Sequence, residues 1–188
     1  MRRLANVEYE DAAPEIQDVY NEIMEISGTP DVWNMLKMFG HNEMALRGMW
    51  GMLHHIVLEG ELPALLKQLI LFKISVEYGN DYCTSLHGQT ILRMDRTIAY
   101  DELVTMANNA DMKFPASYTV AIDVVSRMAL QTRSIKAADY DWEELLLDEG
   151  FSEKEIEELV AVAGFGALMN TMSDIVGVDP DEFLISAE

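Results

Sequence analysis

The stretch from Leu62 to Tyr78 is apolar on too many sides of a helical wheel to lie at the surface of a lone bundle. It demands other helices around it, and contacts between copies of the chain beyond them. Gly79 ends this helix, and Asp81 is placed to cap the next, which runs to about Arg93.

The same periodicity continues in both directions. Ile16, Val19, Tyr20 and Ile23 share one face of a helix over Pro14 to Ile26, with Asp11 near its start and Gly28 just past its end. Thr29-Pro30 reads as an N-cap with proline at the first helical position, opening a short helix through Leu36. His41 or Asn42 starts another, through Trp50 and Leu53 towards Val57, ending near Gly60. Tyr100 to Asn108, Pro115 to Gln131, and a helix from Asp139 or Asp141 to Gly150 follow. Ser152 and Glu155 form a capping box that launches the last long helix, to about Val176. No strand alternation and no linker rich in Gly, Ser or Pro interrupts the pattern. At 188 residues the expectation is one all-α domain over 1–188.

Charge excludes several function classes. The chain carries a formal net charge of −20, and between Asp139 and Glu188 there are 15 acidic residues against one basic residue, Lys154. Such a surface repels phosphate backbones and anionic lipid, so neither nucleic acid nor membrane is expected as a partner. The apolar run from Leu62 to Val76 is interrupted by Lys67, Gln68 and Lys73, which argues against a membrane span there. No apolar leader follows Met1, and a single cysteine forms no internal disulfide, so a cytoplasmic, reducing compartment is expected.

That single cysteine carries the chemistry. Cys83 follows the Gly79-Asn80-Asp81 break, and His87 follows it by four residues, on the same helical face. A helix start presents unpaired N–H groups and a dipole that favour a thiolate, and the imidazole can take or return the proton. A lone cysteine is commonly just a small buried residue, but the histidine and the polar Asn80, Thr84 and Ser85 favour reactivity. Asp81 opposes it, because a nearby carboxylate raises a thiol pKa.

The residues around the pair resemble a known family. The run Leu62-Pro63-Ala64-Leu65-Leu66-Lys67-Gln68-Leu69-Ile70, with Asn80-Asp81-Tyr82-Cys83-Thr84-Ser85-Leu86-His87-Gly88, is similar to the alkylhydroperoxidase D / carboxymuconolactone decarboxylase family, in its peroxidase-related branch. Ala167 to Val178 resembles the terminal helix of the same branch, with Thr171 where Arg often follows the Asn. The resemblance implies an alkylhydroperoxidase D-like helical bundle assembled as a homo-oligomer, commonly a trimer or hexamer. It sets Cys83 at the peroxide-facing cysteine and His87 at the relay histidine. Gln68 falls at the relay Glu and Asn80 at the first cysteine, so half of the four-residue set is replaced.

The expected function is therefore a thiol-dependent, peroxidase-like oxidoreductase in antioxidant defence. Cys83 attacks a small peroxide or apolar substrate, His87 accepts the thiol proton, and Gln68 with Tyr82 positions them. Glu77 cannot replace the relay carboxylate, since it lies about 180° around the helix from Gln68. Lacking a second cysteine, Cys83 requires an external thiol reductant. Two alternatives stand: a lactone decarboxylase-like enzyme with His87 as acid/base, and a non-catalytic ligand-binding or assembly protein on a decayed site. No cofactor is expected. Cys83 and His87 with His54 or His55 could hold zinc, but adjacent histidines diverge by about 100° on an α-helix and nothing supplies a fourth ligand, so no metal is expected either. Met35, Met38, Met44, Met49 and Met52, with Trp33 and Trp50, read first as core and second as an apolar pocket wall. Arg127 and Arg133 are further candidates for a carboxylate substrate. No phosphate loop, serine elbow or zinc helix is present.

Overall fold

In the computed structural model, which describes residues 4–109, 113–130 and 141–185, no strand occurs among the described residues. The helices in chain order are α1 (Pro14–Ser27), α2 (Asn34–Lys37), α3 (Glu43–Met52), α4 (Ala64–Tyr78), α5 (Asp81–Met94), α6 (Tyr100–Asn109), α7 (Ala116–Leu130), α8 (Trp142–Asp148), α9 (Glu153–Val176) and α10 (Glu182–Ile185). A 3₁₀ turn at Tyr9–Asp11 precedes them, and a π-helical turn at Leu53–Leu58 prolongs α3.

The apolar run takes the place its composition demands. Every residue of α4 from Leu66 to Ser75 is buried, enclosed by α5, α6, α7 and α9. Gly166 on α9 permits close approach, since a Cβ there would lie 3.0 Å from Leu71 Cδ2 and 3.2 Å from Ile74 Cδ1. The pair α1 and α3 closes the other side, and the π turn bridges α3 to α9.

Capping follows the sequence in most places. Gly79 adopts φ 69° at the end of α4, a conformation that glycine accepts without strain. The Ser152–Glu155 capping box forms at the start of α9. Two starts differ from expectation. Residues Thr29 to Val32 are not helical: Asp31 accepts the Val32 N–H at 2.7 Å and binds Lys37, and α2 begins only at Asn34. Asn80, not Asp81, caps α5, accepting the Cys83 N–H at 2.7 Å. Asp141 caps α8, while Gln131, Arg133 and Asp139 lie outside the described residues.

The lysines that interrupt the apolar runs are buried. Lys67 sends its ammonium to the Ile56 carbonyl (3.0 Å), to the Glu59 carbonyl and to the Glu158 carboxylate. Glu158 also accepts the N–H groups of Glu61 (2.8 Å) and Leu62 (3.2 Å). Burial pushes the Glu158 carboxyl up, but Lys67 and those two N–H groups outweigh it, holding the pKa below the usual range. One buried charge pair thus ties the π turn, α4 and α9 together. Gly60 makes room for it, because a Cβ there would strike the Glu158 carboxylate.

Among the described residues α9, not the Leu62–Val76 run, is long and apolar enough to cross a membrane by length and composition. Half of that window is buried in the bundle. The methionines divide: Met35, Met38 and Met49 are core with Trp50, whereas Met44 is 77% exposed.

Candidate functional site

Cys83 lies in the first turn of α5, opposite the C-terminal half of α9. Its side chain is 1% exposed, and Sγ sits 3.5 Å from Ser173 Oγ. Ser173 Oγ donates to the Asn170 carbonyl (3.1 Å) and accepts from Asn80 Nδ2 (2.7 Å). Either the thiol or the Ser173 hydroxyl can donate across that contact.

Asn80 is the hub of this seam. Its amide oxygen caps α5, and its Nδ2 reaches the Asn170 carbonyl (3.2 Å), Ser173 and Asp174. The Asn170 side chain continues the network, donating to Ser75 Oγ (3.1 Å) and the Gly166 carbonyl (2.8 Å). Asn80 therefore works as a structural polar clamp between α5 and α9. The sequence gives no sign of these partners, which come from residues 90 or more positions away.

His87 is buried one turn further along α5, and its Nδ1 meets Gln68 Oε1 at 2.8 Å. With the amide oxygen facing the ring, Nδ1 carries the proton and Nε2 presents a lone pair. Nε2 has no hydrogen-bond partner among the described residues. Gly88 lets neighbouring rings close over this turn, since a Cβ there would lie 2.5 Å from Tyr100 Cε2 and 3.1 Å from Phe72 Cε2.

The electrostatics correct the expectation of a helix-start thiolate. Burial pushes the Cys83 thiol up to about 11, with the Ser173 hydrogen bond opposing and the Asp174 charge adding to the rise. Burial also pushes the His87 imidazole down to about 3, so the ring is neutral at ordinary pH. Desolvation outweighs the dipole and the N-terminal N–H groups, the nearest of which is already bonded to Asn80. Among the described residues no hydrogen bond joins Sγ to the His87 ring. The cavities of about 620 Å³ and about 290 Å³ are lined by neither residue.

Tyr82 does not join the pair as expected. Its hydroxyl donates to Asp181 Oδ2 (2.8 Å) and accepts the Met35 N–H (3.3 Å), pinning the segment before α10 onto the bundle. The adjacent position on a helix turns it away from the Cys83 and His87 face. Glu77 also points elsewhere, pairing with Lys73 at 2.6 Å. Arg127 is engaged with Asp123 at 3.0 Å. His54 and His55 gather on Glu59 instead of on Cys83: His54 Nε2 lies 3.2 Å and His55 Nδ1 2.8 Å from its carboxylate.

No family model matches the chain, and no curated protein matches it. Solved structures do, over nearly their whole lengths. An alkylhydroperoxidase D core, peroxidase-related protein from Ralstonia eutropha JMP134 superposes with a TM-score of 0.81 at 18% identity, covering 98% of this chain and 95% of that one. A peroxidase-related protein from Silicibacter sp. TM1040 gives 0.78 at 23% identity, over 99% and 98%. The debrominase Bmp8, as a cysteine-to-alanine variant in complex with 2,3,4-tribromopyrrole, gives 0.72 at 18% identity, over 99% and 95%. At these identities the likeness establishes the fold: the chain has the all-α alkylhydroperoxidase D-like architecture that its sequence resembles.

Proposed function

We propose that this chain, built on the alkylhydroperoxidase D-like fold, is a single-cysteine thiol oxidoreductase with peroxidase-like chemistry and low resting reactivity. One observation carries the reading: the chain's one sulfur nucleophile stands a single helical turn before a histidine whose Nδ1 is held by Gln68. Two fold neighbours described as peroxidase-related support it, as does a debrominase captured with its bromopyrrole after loss of a cysteine.

In this reading Cys83 gives its proton to His87 Nε2, and the thiolate attacks one peroxide oxygen. The O–O bond breaks, the departing alkoxide takes the proton from His87, and sulfur is left as sulfenic acid. An external thiol displaces water to form a mixed disulfide, and a second external thiol regenerates Cys83 and leaves as part of a disulfide. A reducing compartment suits that demand. In the closed state the first transfer is uphill, because burial raises the thiol to about 11 and lowers the imidazole to about 3. Turnover therefore requires water or substrate to enter beside the sulfur.

That same difference favours a second reading, a ligand-binding or assembly protein on this fold without turnover. The test is peroxide consumption with a small-thiol reductant, for wild type, Cys83→Ser and His87→Ala, across pH 6 to 10. The first reading expects loss in both variants and a wild-type rate climbing through the range, because the thiol titrates high. Equal rates for wild type and Cys83→Ser overturn it and leave the second. In either reading the chain assembles as a homo-oligomer, a trimer or hexamer, through apolar helix faces left uncovered within one copy.

A further inference from the structure

The π turn after α3 builds something that an α-helix of the same sequence could not. Adjacent histidines on an α-helix diverge by about 100°, so only one of His54 and His55 would meet a common partner. Here the Glu59 N–H bonds the His54 carbonyl at 3.0 Å, five residues back, which widens the turn. Residues four and five positions before Glu59 then both lie over its carboxylate. The two rings stack, with centroids 4.5 Å apart and planes inclined by 25°, and one donor atom from each of His54, His55 and Glu59 lies within 4.8 Å of the other two.

We propose that His54, His55 and Glu59 form a binding site for a borderline divalent transition-metal ion such as Zn²⁺, Co²⁺ or Cu²⁺. Two imidazoles and one carboxylate are the donor set these ions take, whereas Mg²⁺ and Ca²⁺ require mostly oxygen. Metal–ligand bonds of about 2.0–2.1 Å in a tetrahedron put neighbouring donors about 3.3 Å apart. His54 Nε2 lies 3.2 Å from Glu59 Oε1 and His55 Nδ1 2.8 Å from Glu59 Oε2, one imidazole at each carboxylate oxygen, so both rings stand within reach of an ion held on that carboxylate. Three protein donors leave at least one position for water or a small anion.

The site is held from behind. The His54 ring stacks on Trp50, centroids 5.1 Å apart and planes within 8°, and Trp50 Nε1 donates to Glu22 at 2.7 Å. The buried Lys67 ammonium fixes the carbonyls of Ile56 and Glu59, setting the backbone on which two of the donors depend. His55 and Glu59 face solvent, at 68% and 55% side-chain exposure, so an ion can enter without rearrangement of the core. The net charge of −20 draws cations towards the surface.

The experiment is titration of the tag-free chain with Zn²⁺ and Co²⁺ by calorimetry, with Cu²⁺ quenching of Trp50 fluorescence as a second readout. One ion per chain is expected, unaffected by excess Mg²⁺. His54→Gln, His55→Gln and Glu59→Gln should each weaken binding by at least about tenfold, with thermal melting of the metal-free chain unchanged for His55→Gln and Glu59→Gln, whose side chains face solvent. His41→Gln should leave binding intact, and Trp50→Phe should remove the quench without removing the ion. Affinity unchanged in His54→Gln or His55→Gln, or equal competition by Mg²⁺, overturns the proposal and assigns the binding to the acidic surface at large.

Discussion

At the scale of single residues, burial decides how Cys83 and His87 behave. The imidazole is neutral because its charged form would lie in a dry interior with only an amide oxygen beside it. Its folded-state pKa is depressed to about 3 from an ordinary 6.5, so the unfolded chain binds the proton more readily between those values. The stability this residue contributes is full above about pH 6.5 and is lost as pH falls from there towards 3. Between pH 7.5 and pH 5 the loss is at most about 2 kcal/mol. Urea unfolding at the two pH values should show it for wild type. His87→Gln, which keeps a partner for Gln68 and cannot titrate, should flatten the dependence; an identical fall in the variant would refute the assignment.

Among the elements, the junction of the π turn with α4 and α9 is the most exacting. Lys67 is 1% exposed, so removing its ammonium leaves the half-buried Glu158 carboxylate and two carbonyls without their shared donor. Lys67→Met should cost about 3–5 kcal/mol in urea unfolding. Adding Glu158→Leu should recover part of that loss, because no charge is then left unpaired, although the Glu61 and Leu62 N–H groups lose their acceptor. Strictly additive losses in this double-mutant cycle would show that the pair is not coupled. The sequence marks Lys67 only as an interruption of an apolar run. Its partners, 8, 11 and 91 residues away, are set by packing.

For the whole molecule, the outer face of α9 bears on assembly. Val160, Leu168 and Ile175 recur at helical spacing and are 42%, 37% and 59% exposed. A helix core-like on its inner side and apolar on its outer side suits a partner, and the homo-oligomer proposed above would set a second copy against it. Light scattering should give a multiple of 21.2 kDa for wild type and a smaller mass for the double variant Leu168→Glu with Ile175→Glu, with helical content retained. A wild-type monomer, or an unchanged mass in the variant, would remove this face from consideration.

The amino-acid sequence determined the helices, because periodicity, glycine stops and capping residues act within a few positions of one another. It also determined that Cys83 and His87 share a helix face, and that Gln68 stands on the preceding helix. Tertiary structure alone decided what those groups can do. The thiol is raised and the imidazole lowered because other helices exclude water from them, and Asn80 became a clamp because Asn170, Ser173 and Asp174 face it from α9. The convergence of His54 and His55 on Glu59 was equally out of reach, because it follows from a π turn whose carbonyls a buried lysine of the next helix holds. Local rules are written in neighbouring residues, whereas desolvation and long-range partners exist only once the chain has packed.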